Sequence, residues 1–238
     1  MPIRLNLSSQ IPPAISRELR RFDALFARCE FIGQALENSN LFKIAVELNQ
    51  LCLRDGIIGY HFTRAIRDDV ASRGLEVGRG VDRRCGFSTT YGHLFSVAQR
   101  ERMQRMWHDY FASQPQARDG CIWFNFTLGL LSDGGADRLL TYFGGEVVYM
   151  PLTQDEEIAT ILRTIGQPLV AECELGAERL HTFSQNPWGS IWLSSYHVAV
   201  NSSARQHDVD AYLQEPVLPH NLVRICIAQP CDTKRWRI

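Results

Sequence analysis

The segment that most limits how this chain can fold is residues 56–63, with the sequence GIIGYHFT. The run is short, apolar and aromatic, and glycine bounds it, which is typical of a buried strand rather than an amphipathic helix. Comparable runs predict further strands at residues 121–127, 146–150, 168–175 and 222–228. A buried sheet must therefore organise much of the chain.

Helical periodicity fills most of the sequence between these runs. In the first such stretch, Ile15, Leu19, Phe22, Phe26 and Cys29 recur at spacings of four and three, which places them on one helix face. Helices are predicted at residues 14–33, 41–53, 65–73, 95–111, 137–143 and 155–165. Residues 76–93 are rich in Gly and Arg and are predicted to form a long loop, and long loops in compact domains often carry function.

Strands and helices alternate, but the connections between them are irregular. No G-x-G-x-x-G turn follows the first strand and no G-x-x-x-x-G-K-[ST] occurs, which argues against a Rossmann unit and a P-loop. The pattern favours an α+β fold, in which helices wrap a sheet core. Residues 1–55 are predicted to form an N-terminal helical layer and residues 56–238 an α/β core, together one compact unit.

Composition limits the function classes. The net charge of −1 argues against a protein that coats nucleic acid, because neutralising phosphates needs an excess of Lys and Arg. The seven cysteines are odd in number and form no C-x-x-C, so we expect reduced, mostly buried thiols and no metal site. No signal peptide and no apolar stretch of about 18–20 residues is visible. We therefore expect a cytoplasmic protein without a membrane partner.

The first candidate functional residue is His61. It lies at the end of a predicted buried strand and is followed by Thr63 and a short helix, which would present its ring at the sheet edge. There a ring nitrogen could donate to a sugar hydroxyl, and the ring could titrate near physiological pH. The alternative is a core histidine that binds a backbone carbonyl.

Two parts of the sequence resemble a known family. Residues 60–63 (YHFT), followed by a short helix that ends in Arg73-Gly74-Leu75, resemble the opening of many ADP-ribosyltransferase-fold proteins. That group includes the DarT-like DNA-modifying toxins and, more distantly, the RNA 2′-phosphotransferases. Residues 215–225 (EPVLPHNLVRI) are similar to the final segment of such domains, where an acidic residue precedes a strand entered through a proline. The resemblance implies a split antiparallel β-sheet core.

The resemblance also implies that NAD is the substrate. Carried over to this chain, it assigns His61 and Thr63 to contacts with the ribose of NAD, and Glu215 to the role of catalytic acid. The carboxylate would hold the nicotinamide-ribose 2′-hydroxyl and stabilise the oxocarbenium-like sugar that forms as nicotinamide leaves. The family acid often lies further from the proline, so Asp208 and Asp210 remain open, as does an ordinary solvated role for Glu215.

A middle motif that lines the nicotinamide pocket is also expected. In residues 142–146 (YFGGE), two glycines between an aromatic pair and a carboxylate would let the backbone approach a ligand closely. Tyr142 would line the pocket, and Glu146, expected at the start of a strand, is the second candidate acid. An ordinary glycine cap before a strand is the alternative. Residues 88–90 (STT) superficially resemble the Ser-Thr-Ser of the arginine-modifying branch, but that branch begins with Arg where this chain has His61.

Basic residues provide candidate phosphate contacts. Arg79, Arg83 and Arg84 lie in the Gly-rich segment, where a guanidinium could clamp the pyrophosphate of NAD or a nucleic-acid phosphate. We expect Arg84 to make this contact with NAD. Residues 99–108, within the helix predicted at residues 95–111, have a basic side that could lie along a phosphate backbone. Both sets could instead be solvated surface charges.

Three functions compete. The first is a toxin-like, NAD-dependent glycosyltransferase that transfers ADP-ribose to an unidentified macromolecule, protein or nucleic acid, or to water as an NAD glycohydrolase. The second is a non-catalytic binding domain of the same fold, with Trp188, Trp192 and Trp236 as a contact surface. The third is a metal-independent hydrolase or nuclease, which is weakened by the lack of H-x-x-x-H and G-x-S-x-G.

Overall fold

The computed structural model describes residues 1–113, 116, 119–231 and 235–238. It is 53% helical and 18% strand with small antiparallel sheets, which confirms the predicted α+β class. The helices are α1 (Pro13–Leu19), α2 (Asp23–Phe26), α3 (Ile32–Leu36), α4 (Ser39–Asp55), α5 (Arg67–Arg73), α6 (Gly80–Tyr91), α7 (Val97–Phe111), α8 (Gly129–Asp133), α9 (Asp137–Thr141), α10 (Glu146–Leu152), α11 (Glu156–Thr164) and α12 (Pro187–Val200). The strands are β1 (Ile57–Ala65), β2 (Ile122–Phe124), β3 (Gln167–Leu175), β4 (Ala211–Leu213), β5 (Leu222–Ile227), β6 (Gln229–Cys231) and β7 (Arg235–Arg237).

Backbone contacts divide the chain into two compact units. Unit 1 comprises residues 1–60, 123–129 and 173–213, and unit 2 comprises residues 61–122, 130–172 and 214–238. The chain therefore passes between the units at five points, after residues 60, 122, 129, 172 and 213. The division at residues 55/56 into a helical layer and a core stays a prediction.

Unit 1 is built on the packing of α4 against α12. At the contact, a Cβ atom placed on Gly189 would lie 1.8 Å from the carbonyl oxygen of Ala45, so only glycine allows the backbones this close. The side-chain oxygen of Asn49 accepts a hydrogen bond from the backbone amide of Trp188 at 3.1 Å, which supplies an acceptor to the first turn of α12. The interface is thus fixed by both shape and hydrogen bonding.

Unit 2 contains residues 61–65 of β1, residues 167–172 of β3 and all of β5, together with an aromatic-rich helical cluster. The three-stranded sheet has the order β1-β3-β5, so β3 is its middle strand. Beside it, α6, α7, α10 and α11 contribute to one buried cluster. Its buried members are Phe87, Phe95, Met103, Trp107, Phe111, Val148, Tyr149, Leu152, Ile158, Leu162 and Ile165.

Several predicted elements are confirmed with small boundary shifts. The runs predicted as strands at residues 56–63, 168–175 and 222–228 correspond to β1, β3 and β5. The helices predicted at residues 41–53 and 155–165 correspond to α4 and α11, and the side chain of Asp155 caps α11 by accepting from the amides of Glu157 and Ile158.

The single helix predicted at residues 14–33 is wrong. The segment forms α1, a 3-10 turn, α2 and, after an extended stretch at Phe31, the start of α3. The interruption follows from a tertiary contact: His197 Nε2 lies 3.1 Å from the carbonyl oxygen of Phe26 and 3.0 Å from that of Cys29. Asn201 donates to the Cys29 carbonyl at 2.9 Å as well. These carbonyls are satisfied by side chains, so the helix need not continue.

The loop predicted at residues 76–93 is also largely wrong, because α6 occupies most of it. Phe87 is buried in the aromatic cluster, and Tyr91, four residues later, packs against it from the same helix face. Asp119 caps the helix by accepting a hydrogen bond from the backbone amide of Gly80 at 2.6 Å. Burial of the aromatic side chains outweighs the low helix propensity of glycine here.

The strand predicted at residues 146–150 is a helix. Gly144 and Gly145 both have positive φ, 96° and 72°, and they turn the chain into the start of α10. Within this helix Val148 and Tyr149 are buried, and the Val148 carbonyl accepts a hydrogen bond from Trp107 Nε1 at 2.8 Å. Glu146 is therefore the first residue of a helix and not of a strand.

Candidate active site

The six site residues predicted from the sequence all belong to unit 2: His61, Thr63, Arg84, Tyr142, Glu146 and Glu215. His61 and Thr63 lie two residues apart in β1, so their side chains share one face of the strand. Both are half-buried, whereas Phe62 between them is buried on the opposite face. The strand thus presents an imidazole and a hydroxyl side by side, partly accessible to a ligand.

The middle motif lies beside the same strand. Arg64 and Phe143 form a parallel backbone bridge, which brings residues 142–146 next to the end of β1 that carries Thr63. The two left-handed glycines then direct the chain into α10, where Glu146 is half-buried in the first turn. The helix dipole favours a carboxylate at this position.

Tyr142 is held by Arg163. The Arg163 guanidinium donates to the Tyr142 hydroxyl at 3.1 Å and lies over its ring, 5.3 Å from the centroid. The ring of Tyr149 lies 5.7 Å away from that of Tyr142. Arg163 and Tyr149 therefore hold the ring of Tyr142 in place.

Arg84 is anchored next to the candidate acid Glu146. Its guanidinium donates to the carbonyl oxygen of Val147 at 3.3 Å and lies 4.3 Å from the ring centroid of Phe111. Burial lowers the pKa of Arg84, while Asp119 acts in the opposite direction. The contact brings Arg84 together with the segment that begins α10.

Three other basic side chains of this region lie close to carboxylates. Arg79 forms an ion pair with Asp82 at 2.8 Å, and Arg83 approaches Glu76 at 3.7 Å. In α7, Arg102 pairs with two carboxylates. A phosphate would have to compete with these acidic partners. Residues 88–90 lie within α6, where the Thr89 hydroxyl donates to the Cys85 carbonyl at 3.0 Å.

Glu215 is placed through its neighbour Val217. Leu75 and Val217 exchange two backbone hydrogen bonds, each of 2.9 Å, in an antiparallel bridge. Gly74 has a φ of 78°, and a Cβ atom there would lie 2.0 Å from the Val217 carbonyl oxygen, so the close approach requires glycine. The bridge therefore brings the segment that carries the half-buried Glu215 close to the C-terminal end of α5, the helix that follows β1 in the sequence.

The alternative acids Asp208 and Asp210 belong to unit 1. The carboxylate of Asp208 accepts hydrogen bonds from the amides of Phe126, Thr127 and Val209 and from the Thr127 hydroxyl. Burial raises the pKa of Asp208, and these hydrogen bonds oppose the increase. Such a set of donors is typical of a carboxylate that holds two chain segments together. Asp210 is exposed and accepts from the side chain of Asn125 at 2.8 Å.

Three residues near this region were not found from the sequence. Tyr91 packs against Phe143 with ring centroids 4.8 Å apart, and burial, followed by the charge of Asp69, raises its pKa. Its spacing of four from Phe87 was the available signal. Glu172 of β3 is only 1% exposed and accepts from Arg224 of β5. The available signal was an acid between the apolar residues Ala171 and Cys173.

The third missed residue is Arg64. The sequence around it does not indicate which groups its side chain binds. Its side chain donates to the backbone carbonyls of Ile165, Gly166 and Leu140 at 2.7, 3.1 and 3.4 Å. Burial lowers the pKa of Arg64. Arg64 thus connects β1 with the helical part of unit 2.

Among the described residues, no group of three or more His, Cys, Asp or Glu side chains is arranged to hold a metal ion. Of the seven cysteines, three are buried, three are half-buried and Cys85 is exposed, so the prediction that most of the thiols are buried is wrong. None of the helices in the described part of the chain has the length and apolarity needed to cross a membrane. Comparison of the chain with protein-family models, curated proteins and solved structures gives no match.

Proposed function

We propose that the chain is an NAD-dependent enzyme with an ADP-ribosyltransferase-like split-sheet core, which transfers ADP-ribose to a macromolecule or to water. The observation that carries the proposal is the Arg64–Phe143 bridge. It joins two motifs that lie far apart in the sequence, the strand with His61 and Thr63 and the segment with Tyr142 and Glu146.

The strand face is suited to sugar recognition. The His61 imidazole and the Thr63 hydroxyl are half-buried neighbours on one face of β1. Together they offer a ring nitrogen and a hydroxyl group, which can donate hydrogen bonds to sugar hydroxyls and accept them. In the proposed reaction both side chains bind the nicotinamide ribose and neither changes its covalent state.

The acid is one of two carboxylates. Glu146 is favoured by its segment, which lies directly beside β1, and Glu215 by the family resemblance. In the reaction, the bond between ribose C1′ and the nicotinamide nitrogen breaks, and nicotinamide leaves with the electron pair. The carboxylate stabilises the positive charge on the sugar. An acceptor oxygen or nitrogen then bonds to C1′, and its proton passes to the carboxylate.

The test is nicotinamide release from NAD by the purified protein. Four variants are compared with the wild type: His61→Ala, Glu146→Gln, Glu215→Gln and the exposed control Glu101→Gln in α7. We expect release by the wild type and by Glu101→Gln, and a decrease of about a hundredfold in His61→Ala and in one of the two site variants, as for loss of an electrostatic catalytic group.

The outcomes separate the alternatives. A decrease confined to Glu146→Gln identifies the helix carboxylate, and one confined to Glu215→Gln identifies the carboxylate before Pro216. Equal activity of His61→Ala and the wild type would place the chemistry elsewhere. If the wild type neither releases nicotinamide nor gains thermal stability with NAD, the proposal is rejected, and a non-catalytic binding domain is the better account.

A further inference from the structure

The Arg64 side chain connects β1 with backbone carbonyl groups of two helical segments near the candidate site. It is half-buried at the end of β1, next to Thr63, and donates to three backbone carbonyl oxygens. Ile165 and Gly166 lie at the end of α11, and Leu140 lies in α9. A single guanidinium therefore ties the strand to the ends of two helices.

The carbonyl groups around Arg64 also interact favourably with its positive charge. Ile165 is the C-cap residue of α11, and carbonyl groups at the C-terminus of a helix carry partial negative charge. A guanidinium with donors in a fixed plane can bind two adjacent carbonyls of this kind at once, whereas an ammonium group offers no such fork. The position thus requires arginine for geometry as well as for charge.

Backbone contacts next to Arg64 also fix the position of residues 142–146, the segment with the two glycines. The Phe143 amide donates to the Leu162 carbonyl of α11 at 3.3 Å, and Phe143 itself pairs with Arg64. Gly166 approaches the strand so closely that a Cβ atom would lie 2.6 Å from the Ala65 carbonyl oxygen. Residues 142–146 are therefore held between α11 and β1, and the Arg64 side chain secures both of these supports.

We propose that Arg64 is a positioning residue, which fixes the segment carrying Tyr142 and Glu146 relative to the strand carrying His61 and Thr63. The inference rests on the proposed function for its catalytic consequence, but its structural part can be measured without NAD. In the proposed reaction Arg64 itself touches no substrate. Its role is to keep the acid and the ribose contacts in register.

The test compares Arg64→Gln and Arg64→Lys with the matched control Arg100→Gln. Arg100 is a suitable control because it also binds two backbone carbonyls of unit 2, those of Gly92 and Phe95, at 3.0 and 2.8 Å. The first measurement is hydrogen exchange of the amides of Phe143 and Val148, and the second is kcat and KM for nicotinamide release.

We expect Arg64→Gln to accelerate exchange at Phe143 and Val148 by about tenfold or more, since local opening there becomes easier. We expect kcat to fall by about a hundredfold, the usual effect of a small misplacement, while KM changes by less than about threefold. Arg64→Lys keeps the charge and should recover part of kcat. Arg100→Gln should accelerate exchange only near Phe95.

The inference is overturned if exchange at Phe143 and Val148 is unchanged in both Arg64 variants, or if Arg100→Gln lowers kcat equally. Faster exchange throughout unit 2 in both variants would show that Arg64 supports overall stability and not this segment, which also rejects the inference. If the wild type releases no nicotinamide, the proposed function fails, and the exchange data still decide whether Arg64 positions the segment.

Discussion

The Asp208 carboxylate accepts hydrogen bonds from both the backbone amide and the hydroxyl of Thr127, at 2.9 and 2.7 Å. It also accepts a hydrogen bond from the Phe126 amide at 3.0 Å, so one side chain binds both residues of the segment that follows β2. This carboxylate joins residues 126–127 to the segment that leads into β4. A sequence distance of more than 80 residues separates the two segments.

The first prediction concerns this junction. Asp208→Ala should lower the free energy of unfolding by about 2–3 kcal/mol, because partly buried amides lose their acceptor. Asp210→Ala is the control, since that exposed carboxylate has a single described bond to Asn125, and its effect should stay below about 1 kcal/mol. Urea unfolding of both variants measures the difference. Equal destabilisation by the two substitutions would contradict the assignment.

The second prediction concerns the close contact of α4 and α12. Gly189→Ala should destabilise unit 1 by about 3 kcal/mol or more, because its methyl group would overlap the Ala45 carbonyl. Gly33→Ala in α3 meets no atom within 4 Å and should instead stabilise by about 0.5–1 kcal/mol. Thermal unfolding of the two variants should show Tm shifts of opposite sign. A small loss in Gly189→Ala would mean that the helices separate easily.

The third prediction concerns the buried imidazole of His197. Its Nε2 atom lies within hydrogen-bond distance of the Phe26 and Cys29 carbonyls, while Nδ1 has no hydrogen-bond partner among the described residues. The acceptors assign the proton to Nε2. His197→Leu should cost about 2–4 kcal/mol of unfolding free energy, and the exposed His181→Leu less than about 1 kcal/mol. Denaturant midpoints that fall equally would count against this role.

The fourth prediction concerns pH. Burial lowers the pKa of the His207 imidazole below its usual value. Near pH 6.5 the unfolded chain therefore binds more protons at this group than the folded chain, and the free energy of unfolding falls as the pH decreases through about 6.5. His207→Gln should lose less stability between about pH 7.5 and about pH 5.5 than the wild type.

Its control is the exposed His220→Gln, which should follow the wild type. The measurement is Tm at a series of pH values in one salt concentration. If His207→Gln and the wild type lose the same stability on acidification, His207 does not contribute to the pH dependence in the way that its burial indicates.

The strands were the most predictable part of the fold. The runs that became β1, β3 and β5 are apolar or β-branched and are bounded by Gly or Pro, so their local pattern matches their final environment. The run at residues 146–150 has a similar composition but forms a helix, because two preceding glycines with positive φ set the entry angle of α10. Short apolar runs do not distinguish the two outcomes by periodicity alone.

The helix α12 could not be predicted from amphipathicity. Nine of its residues are buried, so apolar and small side chains surround the whole helix and leave no polar face. The helix is defined by its packing against α4, which the sequence of residues 187–200 does not encode by itself.

In the candidate site, too, some features could be predicted from the sequence and others could not. That His61 and Thr63 share a strand face follows from local alternation and could be predicted. The hydrogen bonds of Arg64 could not be predicted, since its acceptor Ile165 lies 101 residues away and offers only a backbone carbonyl. Every residue has a backbone carbonyl group whatever its side chain, so contacts between side chains and carbonyl groups are the hardest to infer from a sequence.

The repeated passage of the chain between the two units has a consequence for how the protein is made. Unit 1 includes residues from 1 to 213, and unit 2 includes residues from 61 to 238, so neither is a continuous stretch. During synthesis, the first 60 residues must wait for α12 and β4 before their unit is complete. A truncation at any point between residues 61 and 213 therefore removes residues from both units at once, and neither unit corresponds to a continuous segment of the gene.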